Sequence, residues 1–182
     1  MDYRSARIIL SLPKIEFANL RRDFYCENNL FFKPFLPIQS CLLPEIDFHK
    51  DKLMQEISNH ETENGFKFYV FLTNETDKII GSLEFSNIVK GPFRSCNLGY
   101  LLDEKFQGNG YMEESIRRAI DFLFLEKKLH RIQAAIMPNN SKSIRLIEKI
   151  GFQKIGLAPN YLNINGVWAD HFLYQLISPE LF

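Results

Sequence analysis

Residues Gln107-Gly108-Asn109-Gly110-Tyr111-Met112 lie between an apolar stretch ending near Leu102 and a segment of helical periodicity. In that segment Met112, Ile116, Ala119, Ile120, Leu123 and Phe124 recur on one face. A strand, a glycine turn and an amphipathic helix must therefore follow one another here. A helix N-terminus exposes unpaired backbone N–H groups and a partial positive charge, so it suits an anion. Glycines just before it let the backbone approach a phosphate with no side chain intervening. A pyrophosphate could be held in this way without a direct lysine or arginine; on the glycines alone, a plain tight turn stays open. No G-x-x-x-x-G-K-[ST] string exists, which removes a P-loop. Gly108, Gly110 and Glu113 do not make G-x-G-x-x-G, so a dinucleotide site is poorly supported.

Charge narrows the partners. Lys and Arg number 22 against 22 Asp and Glu. A protein that grips nucleic acid by neutralising phosphates needs a basic excess, so no stable nucleic-acid binding is expected. Cys26, Cys41 and Cys96 are an odd number without C-x-x-C spacing, which argues against a disulfide framework. His49, His60, His130 and His171 are scattered, and no metal site is expected. No apolar run of signal-peptide or membrane-span length occurs. A soluble cytoplasmic protein is the expectation, as a single domain over residues 1–182.

The remaining elements are read from pattern. Residues 7–12 form a strand stopped by Pro13, and a helix runs from Ile15 to about residue 29. Phe31 to Pro37 is an aromatic, proline-broken loop. A helix covers Phe48 to His60 with Asp47 as N-cap. Strands at Phe66–Leu72 and Lys78–Ile88 make a hairpin through Thr73–Asp77, and a strand follows at Asn97–Leu102. The helix after Gly110 carries i,i+4 pairs Glu113–Arg117 and Glu114–Arg118. A strand at Arg131–Ile136 leads to a helix at Asn140–Ile150, which Gly151 closes. Tyr161–Ile164 and Val167–Ile177 flank Asn165-Gly166, a type I′ hairpin signal. The order describes a mixed α/β domain.

Gln107-x-x-Gly110 after a strand, together with Asn140-x-x-Ser143-x-x-Leu146 and Gly151-Phe152, resembles the GNAT acetyltransferases. The resemblance covers nearly the whole chain. It implies the GNAT acyl-CoA N-acyltransferase fold, a mostly antiparallel central sheet with flanking helices, and acetyl-CoA as co-substrate with no metal. It implies a CoA pyrophosphate on Gln107, Gly108, Asn109, Gly110, Tyr111 and Met112. It also implies a pantetheine arm along Tyr100, Leu101 and Leu102, with Asn140 and Ser143 on the same ligand. The segments Ser86–Phe93, Leu98-Gly99-Tyr100, Leu129-His130-Arg131, Met137-Pro138 and Tyr161–His171 are similar to the RimJ/RimL branch, whose members acetylate N-terminal amines of ribosomal proteins. Met112 departs from the Gly or Ala usual in the superfamily, and that branch often carries Met or Ile there.

Acetyl transfer from a thioester to an amine needs a neutral amine, aligned reactants, a stabilised oxyanion and a proton for the leaving thiolate. An α-amine titrates at about 7.7–8.0, so roughly a tenth is neutral at pH 7; neutralising a lysine near 10.4 costs about 4.6 kcal/mol. An N-terminal acceptor therefore tolerates a weak base. The Glu and Tyr of RimI-like relatives fall at Ala135 and Ile147, so that acid/base pair is not carried over. Resemblance to the RimL branch assigns Ser143 as proton donor to the thiolate; the alternative is a first-turn serine bonding backbone N–H groups. Glu84 is the leading base candidate, or else contacts the substrate amine or is an exposed strand carboxylate. Asp170 alternates with Trp168, Phe172, Tyr174 and Leu176, which directs a carboxylate among aromatics. It needs a partner there, either a cationic substrate amine or a backbone hydrogen bond. His130 and His171 read as structural or solvent-facing. Phe32, in the aromatic stretch, is a candidate wall of the acceptor cleft, or ordinary core.

The expected activity is direct attack in a ternary complex on the N-terminal amine of a ribosomal protein. Rival acceptors are a polyamine, an aminoglycoside or an amino acid. A CoA-binding or ribosome-associated module with little turnover is the rival from another class. Monomer and homodimer both stay open.

Overall fold

A computed structural model describes residues 2–36 and 45–179. Eight strands form one sheet: β1 (Asp2–Arg4), β2 (Ile8–Ser11), β3 (Phe66–Leu72), β4 (Gly81–Val89), β5 (Ser95–Leu102), β6 (Arg131–Ile136), β7 (Gln153–Ile164) and β8 (Val167–Ile177). Their order is β1-β2-β3-β4-β5-β6-β8-β7. Every neighbouring pair is antiparallel except β5–β6. The helices are α1 (Ala18–Glu27), α2 (Asn29–Phe32), α3 (Ile46–Glu61), α4 (Tyr111–Asp121) and α5 (Ser141–Ile150). This is the mixed, mostly antiparallel α/β architecture expected.

The helices divide between the faces. Met112, Ile116 and Ala119 of α4 and Ile147 and Ile150 of α5 bury against Leu10, Phe68, Leu83, Phe85 and Leu98. On the other face Phe24 and Tyr25 of α1, Phe32 of α2 and Leu53 of α3 bury against Ile9, Tyr69 and Phe71. β3 is buried along its whole length because helices cover both its sides. It therefore reads as a continuous apolar run, interrupted only by Lys67.

Several expectations are corrected. Residues 31–35 are not loop: α2 passes into a 3-10 turn at Lys33–Phe35, with Pro34 in its first turn, where a missing N–H costs nothing. Pro37 and Cys41 lie outside the described residues. The α3 N-cap is Glu45, because the helix begins early enough to pack Ile46 on the core; Asp47 sits in the first turn and pairs with Lys50 at 2.9 Å. Glu113–Arg117 forms at 3.2 Å, but Glu114 pairs with Arg7 instead of Arg118. Arg118 lies over the Tyr3 ring. Strand β7 begins at Gln153, well before Tyr161, and β1 adds an edge strand. Asn165 (φ 51°) and Gly166 (φ 82°) take the positive φ of the type I′ turn.

Candidate active site

The sheet opens at its centre. β5 and β6 pair only through Ser95↔Arg131, Cys96↔Ile132 and Asn97↔Gln133. Beyond those pairs β5 continues to Leu102 against β4, and β6 continues to Ile136 against β8. Leu98 to Leu102 thus lack a strand partner on one side, and an extended ligand can hydrogen-bond along them. The β5 end is fixed firmly. A Cβ on Gly81 would lie 2.8 Å from the Leu101 carbonyl, so glycine permits the close approach of β4. Asp103 is buried, pairs with Lys78 at 3.2 Å, and caps the following 3-10 turn by accepting from the Lys105 N–H.

That turn delivers the chain to the glycine loop. Gly108 and Gly110 both have φ 79°, a left-handed conformation that glycine adopts without steric cost. Gly110 is the N-cap of α4, and a Cβ on Gly108 would meet nothing within 4 Å, so the cradle is open. The Asn109 amide closes the loop on the Phe106 and Gln107 carbonyls. Two cations also reach the loop, which the backbone-only reading did not foresee. Arg7 donates to the Asn109 carbonyl at 2.9 Å and to Glu114 at 2.8 Å, and stacks over Tyr111. Lys142, from the first turn of α5, donates to the Gln107 side chain at 2.8 Å. The Met112 side chain turns into the core, so only its backbone faces the loop.

The two faces of the fork carry different groups. On the α4/α5 face the Tyr100 hydroxyl donates to the Ser143 carbonyl at 3.3 Å, bridging β5 to the start of α5. Burial pushes the Tyr100 phenol up, so it stays a neutral donor. Asn140 caps α5: its Oδ1 accepts from the Ser143 N–H at 3.2 Å. The half-buried Ser143 hydroxyl hydrogen-bonds the Tyr100 phenol, which opposes the upward push of burial there, while Asn140 does the capping. Ala135 lies on β6, and Ile147 is fully buried in the core.

On the opposite face Glu84 projects from β4 beside Lys67 of β3, Oε2 to Nζ 3.3 Å. The Lys67 side chain is 8% exposed and that of Glu84 57%. The Lys67 ammonium holds the Glu84 carboxyl below the usual carboxylate range, against an opposing effect of burial. Glu84 is therefore a weak proton acceptor and a lasting anion. Burial acts to lower Lys67, but Tyr25, Glu84 and Glu56 outweigh it and keep the ammonium charged. A second buried network lies alongside: Arg21 donates to the Tyr69 hydroxyl at 2.9 Å and meets His49 Nδ1 at 2.7 Å, and Tyr69 donates to Glu56 at 2.8 Å. Sequence reading missed Lys67 and Arg7. A lysine among the phenylalanines of β3 was a usable signal for the first; nothing local marks the second.

Two candidates lie elsewhere. Phe32 is 2% exposed and packs on Phe24 and Tyr25, so it is core rather than cleft wall. Asp170 is exposed, because Trp168 beside it is 60% exposed and this end of β8 projects beyond the core. Its carboxylate accepts from the Asn160 N–H at 2.8 Å. That bond pins the irregularity in β7 between Ala158 and Leu162, where Asn160 has φ 49°. His171 is buried, with Nδ1 against the Ala169 carbonyl at 2.9 Å.

A sheet forked at its centre, with a glycine-capped helix after one parted strand and a serine in the first turn of the helix after the other, fits an acyl-group transferase. Residues 28–153 match the acetyltransferase (GNAT) domain. The [ribosomal protein uS5]-alanine N-acetyltransferase of Escherichia coli (strain K12) is 38% identical over 96% of this chain and 89% of its own. The crystal structure of ribosomal-protein-S5-alanine acetyltransferase from Vibrio fischeri superposes with TM-score 0.93 at 33% identity, covering 100% of this chain and 99% of that one. Mycobacterium smegmatis RimJ in complex with CoA-disulfide shares the fold, with TM-score 0.88 at 22% identity over 96% of this chain and 83% of that one. The chain belongs to the GNAT family and is an N-acetyltransferase. Among the described residues no helix is long and apolar enough to cross a membrane.

Proposed function

We propose that the protein transfers the acetyl group of acetyl-CoA to the N-terminal α-amine of a ribosomal protein, by direct attack in a ternary complex. The observation that carries this reading is the fork: unpaired β5 backbone leads through one 3-10 turn into a left-handed glycine N-cap, with Ser143 on one face and Glu84 on the other. The likeness over 96% of the chain to an enzyme named for a ribosomal-protein alanine supports the acceptor class. Acetyl-CoA, when bound, supplies the acyl thioester.

The N-terminal N–H groups of α4 receive its pyrophosphate, with Arg7 and Lys142 steadying the loop. The backbone of Tyr100, Leu101 and Leu102 pairs with its pantetheine arm, and Asn140 keeps the first turn of α5 beside it. The Ser143 hydroxyl, which leaves the capping of α5 to Asn140, gives a proton to the leaving thiolate and regains the one that the attacking amine sheds. No strong base is required, since an α-amine near 7.7–8.0 is already about a tenth neutral at pH 7. Such an acceptor places the work in the cytoplasm. Free-thiol release with acetyl-CoA and a panel of peptides and amines tests the reading. Turnover of peptides with a free N-terminus, and not of N-terminally blocked lysine peptides or polyamines, is expected. Turnover of polyamines alone would overturn the acceptor, and CoA binding without turnover of any amine would overturn the activity.

A further inference from the structure

We infer that Gly99 is the seat of the acceptor amine: its missing side chain keeps a slot open beside Glu84, and Lys67, on the strand beyond Glu84, is the positioning residue that fixes one oxygen of its carboxylate. The inference rests on the reading just given and deepens it.

Register places the three residues in a row. Lys67 is paired with Glu84 and Glu84 with Gly99, across β3, β4 and β5. Directly paired residues of antiparallel strands project to the same face, with Cβ atoms about 4.5–5.5 Å apart. Leu98, the neighbour of Gly99, is buried on the α4/α5 face, so position 99 looks the other way, as Glu84 does. A Cβ on Gly99 would meet nothing within 4 Å, and its φ lies outside the left-handed region. Neither packing nor backbone therefore calls for glycine here, and glycine weakens a strand interior. What position 99 has is a location. It lies two residues past Asn97, in the last pair before β5 and β6 part, at the root of the fork and open to solvent.

The charges around Glu84 favour anchoring over proton removal. Lys67 is beside it from β3, and Arg21 of α1 and Lys52 of α3 also act on it. Tyr25 of α1, Glu56 of α3 and the Tyr69 ring of β3 surround Lys67 in turn. A carboxylate so placed accepts an N–H from the α-amine in its ammonium or its neutral form, and the neutral form attacks once the ammonium has given its proton to water.

Gly99→Val separates a seat from a structural glycine, because valine suits a strand. Steady-state kinetics and calorimetric titration of peptide and of acetyl-CoA are measured on wild type and variants. Expected for Gly99→Val is a melting temperature no lower than wild type, peptide affinity weaker by about tenfold or more, and acetyl-CoA affinity within about twofold. Unchanged peptide affinity, or an equal loss for acetyl-CoA, overturns the seat. Glu84→Gln is expected to raise peptide KM with kcat within about threefold; a fall in kcat of about a hundredfold at constant KM would make Glu84 the base and overturn the anchor. Lys67→Met should reproduce the KM effect of Glu84→Gln, with rescue by Lys67→Arg; loss in both variants equally would assign Lys67 to folding alone. A wild type that binds peptide in a Gly99→Val-sensitive way without turning it over keeps the seat and removes the activity. A wild type that turns peptide over at a KM that Gly99→Val does not move removes the seat alone.

Discussion

Arg7 shows how a surface residue acts on a loop a hundred residues away. Its backbone N–H and guanidinium both bond Glu114, and a further N–H holds the Asn109 carbonyl. Burial works to raise the Glu114 carboxyl, but Arg7 and the Ser5 hydroxyl together outweigh it and leave it low. Arg7→Ala removes both guanidinium bonds to the loop and helix start and should raise acetyl-CoA KM about tenfold while leaving peptide KM alone; initial rates check this. Ser143→Ala should lower kcat by about a hundredfold with little change in acetyl-CoA KM, and an unchanged kcat would return proton donation to water. Glu84 bears on acid stability. Its folded carboxyl lies below the ordinary glutamate value of about 4.3, so the Lys67–Glu84 pair stabilises the fold above that pH. The contribution fades as pH falls through the lowered folded value. Thermal melts should therefore show the stability gap between wild type and Glu84→Gln closing below about pH 4. At this scale the sequence was only partly legible. Gly108, Gly110 and Asn140 announced themselves through backbone demands that are local, whereas Arg7 and Lys67 matter through partners that only the folded sheet supplies.

Among the elements, α5 has the clearest boundaries. Asn140 closes its start and Gly151, at φ 112°, closes its end. Asn140→Ala removes the cap and should cost about 1 kcal/mol, a fall in melting temperature of roughly 2–4 °C by calorimetry. The strands β3, β6 and β8 were readable to the residue because apolar patterning and the Asn165-Gly166 turn bound them on both sides. β1 was not, since three residues with a single buried ring, Tyr3, carry no period. α2 was hidden by Pro34, which breaks a helix from within but is tolerated in the first turn of the next. Asp170 misled through the same alternation rule that succeeded elsewhere. The rule gives the face of a strand but not whether a core lies under it, and at this end of β8 none does.

Taken whole, the molecule answers the question of charge differently from the ribosomal surroundings of its proposed acceptor. Its 22 cations are balanced by 22 anions, and its candidate phosphate site is built from one helix end and two nearby cations. A ligand held there couples the N-terminal turn, the loop and α5, so binding should stabilise the fold globally. Acetyl-CoA at about 100 times its Kd should add about 2.7 kcal/mol and raise the melting temperature by roughly 5–10 °C, and Arg7→Ala should shrink that rise at equal ligand.

The fork has one more consequence. Natural sheets shield their outer edges, yet this one carries two bare edges in its interior, where β5 and β6 part after three pairs. Bare strand edges recruit other extended chains. An empty fork should favour association along the midline of the sheet, and a ligand lying in it should act as a splint. Light scattering at fixed temperature should therefore rise more slowly with acetyl-CoA present, by more than the gain in melting temperature alone accounts for.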